Sequence, residues 1–169
     1  MNGELRDVLR VALAGRPCLV GMGNADRCDD GFGVRLAEAL ADAGADVIVA
    51  GTTPERWIGH LARSGFDNVV FLDAVDVGAP PGSAVLMDAG DVEAAVPQIS
   101  THKLSVGTLA KLLRAQSRAR VWLLGVQPVS VREGTGLSAP VEASLHALET
   151  LVRAALRSRP AAQARRVVA

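Results

Sequence analysis

The chain has 169 residues, enough for a sizeable core, and reads as a single domain over 1–169. Apolar residues make up 49% and charged residues 21%; acids and bases balance to zero net charge, which argues against a nucleic-acid binder, and the 3% aromatic content argues against a base-stacking platform. No apolar run approaches the length a bilayer span needs, and Glu4, Arg6, Asp7 and Arg10 interrupt the stretch a secretory signal would require, so a cytoplasmic protein is expected.

Leu5, Val8, Leu9, Ala12 and Leu13 recur with helical spacing and predict an amphipathic helix over 3–14, ended by Gly15 and Pro17. Residues 18–23 read as the first strand, with Cys18 a small core residue. Val34, Ala37, Leu40 and Ala41 line the next helix, which Gly44 stops. Val47-Ile48-Val49 is the second strand, and Pro54 opens a helix over 54–64 at a position where proline is tolerated. The continuous apolar run Val69-Val70-Phe71-Leu72 suits a strand buried on both faces, and Asp73 is expected to end it. Ala79-Pro80-Pro81-Gly82 marks a turn before a fourth strand over 83–88.

Pro97 predicts irregular chain over 89–101. A helix over 103–116 should point Leu104, Leu109 and Leu112 inward, and the fifth strand covers 121–125. A loop rich in Gly, Ser and Pro covers 128–138. The last helix, over 140–157, carries Val141, Leu145, Leu148, Val152 and Leu156 on one face. Residues 158–169, with Arg159, Arg165 and Arg166, read as a flexible basic tail. Strands alternating with helices argue for a layered α/β domain.

Two cysteines, Cys18 and Cys28, are too few for a disulfide framework or an all-cysteine zinc site. Chemistry-bearing residues cluster instead at strand and loop ends: Asp29 and Asp30 after the first strand, Asp73 after the third, and His102 ahead of a helix. If the first and third strands are parallel neighbours, their acids open on one crevice, where open α/β sheets place ligands. Two carboxylates and an imidazole form a donor set suited to zinc, nickel, cobalt or iron, able to polarise a carbonyl or activate water. Plainer roles compete. Asp30 could cap a helix, and Asp73 could start an Asx-turn, although Asp76 beside Val77-Gly78 suits that better. His102 could be an ordinary surface histidine, as His60 and His146 are taken to be, and Glu55 complements a helix dipole. Asp30 is expected as the ligand and Asp29 as structural, a choice the residues alone leave open. Gly21-Met22-Gly23-Asn24 lacks the third glycine of a dinucleotide fingerprint and the lysine of a P-loop, and its acids would repel a pyrophosphate.

The stretch Gly21-x-Gly23-Asn24, then Asp29-Asp30-Gly31-x-Gly33, resembles the signature of the hydrogenase maturation proteases. The likeness continues through Gly51-Thr52-Thr53-Pro54-Glu55, Leu72-Asp73-Ala74-Val75-Asp76, Pro81-Gly82, Ser100-Thr101-His102 and Leu124-Gly125-Val126-Gln127-Pro128, across about 18–155. It implies a three-layer α/β/α fold with a mixed, mostly parallel five-stranded sheet, order 2-1-3-5-4, strand 4 antiparallel. Residues 1–16 then form an N-terminal helical extension.

The resemblance also implies the activity: an endopeptidase, of aspartyl or metal-dependent type, that removes the C-terminal peptide of a [NiFe] hydrogenase large-subunit precursor after nickel insertion. Its ligands and catalytic residues fall on Asp30, Asp73 and His102, so the resemblance selects Asp30 over Asp29. Nickel arrives on the substrate, with zinc or another divalent ion able to substitute in isolated protein. The precursor is the expected partner, and the oligomeric state stays open. The alternative is a non-catalytic metal- or partner-binding protein of the same fold.

Overall fold

Strands that are apolar on both faces determine the layering, because each face must be covered. In a computed structural model, which describes residues 2–95 and 105–159, the strands are β1 (Pro17–Met22), β2 (Asp46–Gly51), β3 (Asn68–Ala74), β4 (Ala84–Asp88) and β5 (Arg120–Val126). They pair in the order β2-β1-β3-β5-β4. β1 lies parallel to β2 and β3, β3 parallel to β5, and β4 antiparallel to β5. The mixed sheet implied by the family resemblance is realised, including the reversal after Pro80-Pro81-Gly82.

Six helices cover the two faces among the described residues: α1 (Asn2–Ala12), α2 (Phe32–Ala39), α3 (Ile58–Arg63), α4 (Ala89–Ala95), α5 (Val106–Arg114) and α6 (Ala139–Arg157). Successive strand residues point to opposite sides. Cys18, Val20, Val69, Phe71, Val121 and Leu123 join Ile58, Leu61, Val92, Leu109 and Leu113 on the α3–α4–α5 side. Leu19, Val70, Leu72, Trp122 and Leu124 join Leu9, Leu13, Phe32, Leu36, Leu148 and Val152 on the α1–α2–α6 side. Polar atoms within this packing are satisfied where they anchor segments. Asn68 accepts from the Trp122 indole at 2.9 Å and donates to the Ala14 carbonyl at 2.8 Å. The predicted face of the last helix holds, since Val141, Leu145, Leu148, Val152 and Leu156 are all buried.

Several expectations are corrected. β3 does not stop at Asp73 but runs on to Ala74, with Asp73 in register with Gly125. The stretch after β4 is not irregular from its start, because α4 occupies Ala89–Ala95. Pro97 lies outside the described residues; a proline there forbids a long helix but permits a short one upstream. In α5 Leu109 faces inward as expected, but Leu112 is 41% exposed and Leu113 is fully buried. Leu104 lies outside the described residues. The helix opened by Pro54 begins as a 3₁₀ turn over Pro54–Trp57 and becomes α-helical as α3. The tail is anchored at its start: the Arg159 guanidinium donates to the carbonyls of Gly15 at 3.1 Å and Gly44 at 2.7 Å. Arg165 and Arg166 lie outside the described residues. The N-terminal helix is part of the packing, with Leu9 and Leu13 fully enclosed.

Cys18 is buried as expected. Burial pushes its thiol up to about 12; the charge of Asp46 adds to the rise and that of Arg16 offsets it.

Two predictions follow from the packing. Leu113→Ala should destabilise the fold by about 2–5 kcal/mol, and Leu112→Ala by less than about 0.5 kcal/mol, as read by urea unfolding. The Cys18 thiol ionises more readily unfolded than folded, so its contribution to stability is complete below the unfolded value of 9.0 and declines as pH rises toward about 12. Thermal melts across that range should show a shallower decline in Cys18→Ala.

Candidate active site

The loop leaving β1 is shaped by residues that have no room for side chains. Gly23 adopts φ +122°, in the region that favours glycine, and its N–H bonds the Gly51 carbonyl at 3.0 Å. A Cβ at Gly23 would run into the carbonyl of Asp30. Asn24 then folds an Asx-turn, its Oδ1 accepting the Asp26 N–H at 2.9 Å. A 3₁₀ turn over Cys28–Gly31 leads straight into α2. At the second residue of α2, a Cβ on Gly33 would collide with the carbonyls of Met22 and Leu72. The helix therefore begins directly on the carboxyl ends of β1 and β3.

That contact places Asp30. The side chain is 2% exposed, and its Oδ2 accepts the Asn24 N–H at 2.9 Å. It does not cap α2, whose N-cap is Gly31 without a side-chain bond. Asp73 reaches the same end of the sheet from β3, which is β1's parallel neighbour as expected. By alternation it lies on the α3–α5 side with Phe71 and Val75. It is fully buried, and its Oδ1 accepts the Ala74 N–H at 2.9 Å. The 3₁₀ turn packs against β3. The chain passes from β1 to β2 on one side and from β2 back to β3 on the other, so both acids stand where the strand order reverses. Opposite Asp73, Gly125 leaves room that a Cβ would take from Val75.

Asp29 has a different role from its neighbour. It is fully buried and accepts from the N–H groups of Val129 at 2.8 Å, Ser130 at 3.2 Å and Ser138 at 2.6 Å, and from the Ser138 hydroxyl at 2.9 Å. Its carboxylate thus holds the 128–138 loop and the start of α6. Cys28 supports the same latch: its N–H bonds the Gly134 carbonyl at 2.8 Å while its own φ is +46°. Half-buried in the loop, Cys28 has no base beside it among the hydrogen bonds of the described residues.

His102 lies outside the described residues. Among those described, no group of three or more His, Cys, Asp or Glu side chains is gathered to hold a metal ion. Asp30 and Asp73 are brought to one end of the sheet, and Asp29 is spoken for. Asp76 forms the expected Asx-turn, accepting the Gly78 N–H at 3.1 Å. His60 is exposed, edge-on to Trp57 with ring centroids 5.9 Å apart, and His146 is also exposed. Glu55 sits in the 3₁₀ turn ahead of α3.

Two residues near the site were given no role by the sequence reasoning. Gln127, 8% exposed, accepts from Val77 N–H at 2.8 Å and Ala79 N–H at 3.3 Å and donates to Asp76 at 3.1 Å, fixing the chain that leaves β3. A lone amide directly after an apolar strand was the available signal. Arg35 lies on α2 with its Nε beside Gly31; a cation one turn beyond an acid pair was the signal there.

The family model for hydrogenase maturation proteases (HycI) matches residues 33–156. The chain belongs to the hydrogenase maturation protease family. The protease is 29% identical over 151 residues to the hydrogenase 2 maturation protease of Escherichia coli K12, covering 84% of this chain and 91% of that one. It is 32% identical over 113 residues to the hydrogenase 3 maturation protease of the same organism, covering 65% and 71%. In structure it is similar to the [NiFe] hydrogenase maturation protease HycI of Thermococcus kodakarensis KOD1, with TM-score 0.78 and 30% identity over 89% of this chain and 99% of that chain. The maturating endopeptidase HybD of Escherichia coli matches with TM-score 0.71 and 29% identity over 84% and 92%. This protease is accordingly a hydrolase of peptide bonds. Among its described residues no helix is long and apolar enough to cross a membrane.

The two adjacent acids should separate cleanly by stability. Asp29→Ala removes the acceptor of the 128–138 loop and should cost about 3 kcal/mol, at the upper end for bonds to a charged group. Asp30→Asn should stay within about 1 kcal/mol of the parent, because an amide oxygen can still accept the Asn24 N–H. Denaturant unfolding of the two variants checks the contrast.

Proposed function

We propose that this protease removes the C-terminal peptide of a [NiFe] hydrogenase large-subunit precursor in the cytoplasm, after nickel has been inserted. Membership of the family supports the reaction class. The observation that carries the site is the division between neighbouring acids. Asp29 is consumed by the loop it anchors, while Asp30 and Asp73 stand buried at the carboxyl ends of adjacent parallel strands.

In this reading Asp30, Asp73 and His102 contact nickel that the substrate already holds. Two carboxylate oxygens and an imidazole nitrogen suit a divalent ion of borderline softness. They leave coordination positions to be filled by the substrate's own ligands, so the protein by itself offers a weak site and the loaded precursor completes it. Discrimination then comes from the acids: with no cation between them, docking would bring buried carboxylates against the substrate with nothing to balance their charge. A zinc or other divalent ion would occupy the same donors in isolated protein.

Peptide hydrolysis also needs a water whose proton is taken up. In this scheme Asp30 or Asp73 instead takes it up as general base. The glycine-shaped loop helps keep Asp30 fixed while a bulky substrate approaches, since its carboxylate accepts a backbone N–H from that loop.

Asp30→Asn, Asp73→Asn and His102→Gln should each fold and each leave nickel-loaded precursor uncut. Mass measurement of the large subunit's C-terminus after incubation reads the outcome. Normal trimming by all three variants would refute the assignment.

A further inference from the structure

Four arginines are half-buried among the described residues: Arg16, Arg35, Arg153 and Arg159. Three of them are engaged by acids or carbonyls. Arg16 pairs with Asp46 at 3.3 Å and donates to the Ser64 carbonyl at 2.5 Å. Arg153 pairs with Asp42 at 2.8 Å and Glu149 at 2.9 Å and also donates to the Ala39 carbonyl. Arg159 holds the Gly15 and Gly44 carbonyls. Arg35 differs. Its Nε is enclosed without an acceptor, and no hydrogen bond, ion pair or ring contact engages its guanidinium among the described residues.

Its location is informative. Side chains on a helix lean toward the helix N-terminus, and Arg35 reaches back so that its Nε lies 3.5 Å from where a Cβ on Gly31 would sit. That same position lies 3.0 Å from the Ala25 α-carbon and 3.6 Å from the Asn24 carbonyl. Gly31 follows Asp30, and Asn24 supplies the N–H that Asp30 accepts. The guanidinium therefore packs behind the turn that holds Asp30. A cation partly withdrawn from water with no acceptor is unfavourable until an anion completes it. The nearby start of α2 adds positive potential of its own.

We propose that Arg35 receives a carboxylate of the polypeptide the enzyme cleaves, and through that ion pair positions the cleavage segment against Asp30. The inference rests on the precursor-processing reading above. A polypeptide offers one common anion, the carboxylate, and the planar guanidinium fork matches it with two parallel bonds. Asp29, two residues before Gly31, is already committed to the 128–138 loop. Arg35 is a positioning residue: it holds the substrate and takes no part in bond cleavage.

The test compares the parent enzyme with Arg35→Gln and Arg35→Lys, using nickel-loaded large-subunit precursor as probe. Binding affinity, KM, kcat and Tm are measured for each. Arg35→Gln should weaken binding and raise KM by about ten- to a hundredfold, the loss expected for one charge-assisted contact, with kcat within about threefold and Tm not lowered. Arg35→Lys should restore part of the affinity, because it keeps the charge without the fork. Against precursors whose Asp and Glu near the cut are changed singly to amides, one substitution should abolish the difference between Arg35→Gln and parent. If instead only a precursor extended at its C-terminus abolishes it, the carboxylate is the terminal one. Unchanged affinity and KM in Arg35→Gln overturn the proposal, as does a loss confined to kcat, or a fall in Tm that accounts for the lost activity. Should the parent bind the precursor without cutting it, the precursor-processing reading fails while the Arg35 contact is still judged by affinity.

Discussion

The meeting of α2 with the carboxyl ends of β1 and β3 fixes the rest of the site. Gly33 touches both strand ends through backbone alone, and any side chain there would strike two carbonyls. Because this contact leaves no slack, the short 3₁₀ turn before α2 has little freedom, and the acid it carries is placed by the sheet rather than by the loop's own preferences. The same approach lets α2 bury Phe32, Leu36 and Leu40 against the strands, so the packing that stabilises the fold and the geometry that places Asp30 are one arrangement.

Burying carboxylates in a mostly apolar fold is unfavourable unless each finds donors. Asp29 meets this with four bonds from the 128–138 loop and Ser138. Asp30 and Asp73 draw on backbone N–H groups immediately beside them, at Asn24 and Ala74. The first arrangement saturates a carboxylate and makes it structural. The second belongs to two acids that the sheet brings to its crevice-forming end.

Much of this was readable before any coordinates. The continuous apolar run of Val69 through Leu72 identified β3 as a strand buried on both faces, and the helical spacing of Val141 through Leu156 gave the inner face of α6 correctly. The errors have physical causes. Leu112 and Leu113 are adjacent, so a small error in helical phase exchanges the inner and outer residue. Asp73 was expected to end β3 because it breaks the apolar run; here the strand continues to Ala74 and the charge is enclosed. Arg159 was read as solvated because its partners, the carbonyls of Gly15 and Gly44, are backbone atoms far away in sequence and carry no side-chain signal. The choice between Asp29 and Asp30 was open for the same reason, since what commits Asp29 is a loop about a hundred residues downstream. The family resemblance selected Asp30, and the hydrogen bonds show Asp29 committed to the 128–138 loop.

The two acids that divide these tasks are consecutive, and each is tied to a different part of the chain: one forward to the loop before α6, the other back to the glycine turn. Their identities are interchangeable as chemistry, but their addresses are not. A substitution at either position disturbs one task. Losing a single residue between Asn24 and Asp29 would bring Asp30 to the address of Asp29 and Gly31 to that of Asp30, and gaining one would bring Cys28 and Asp29 there instead, so that segment tolerates changes of letter far better than changes of length.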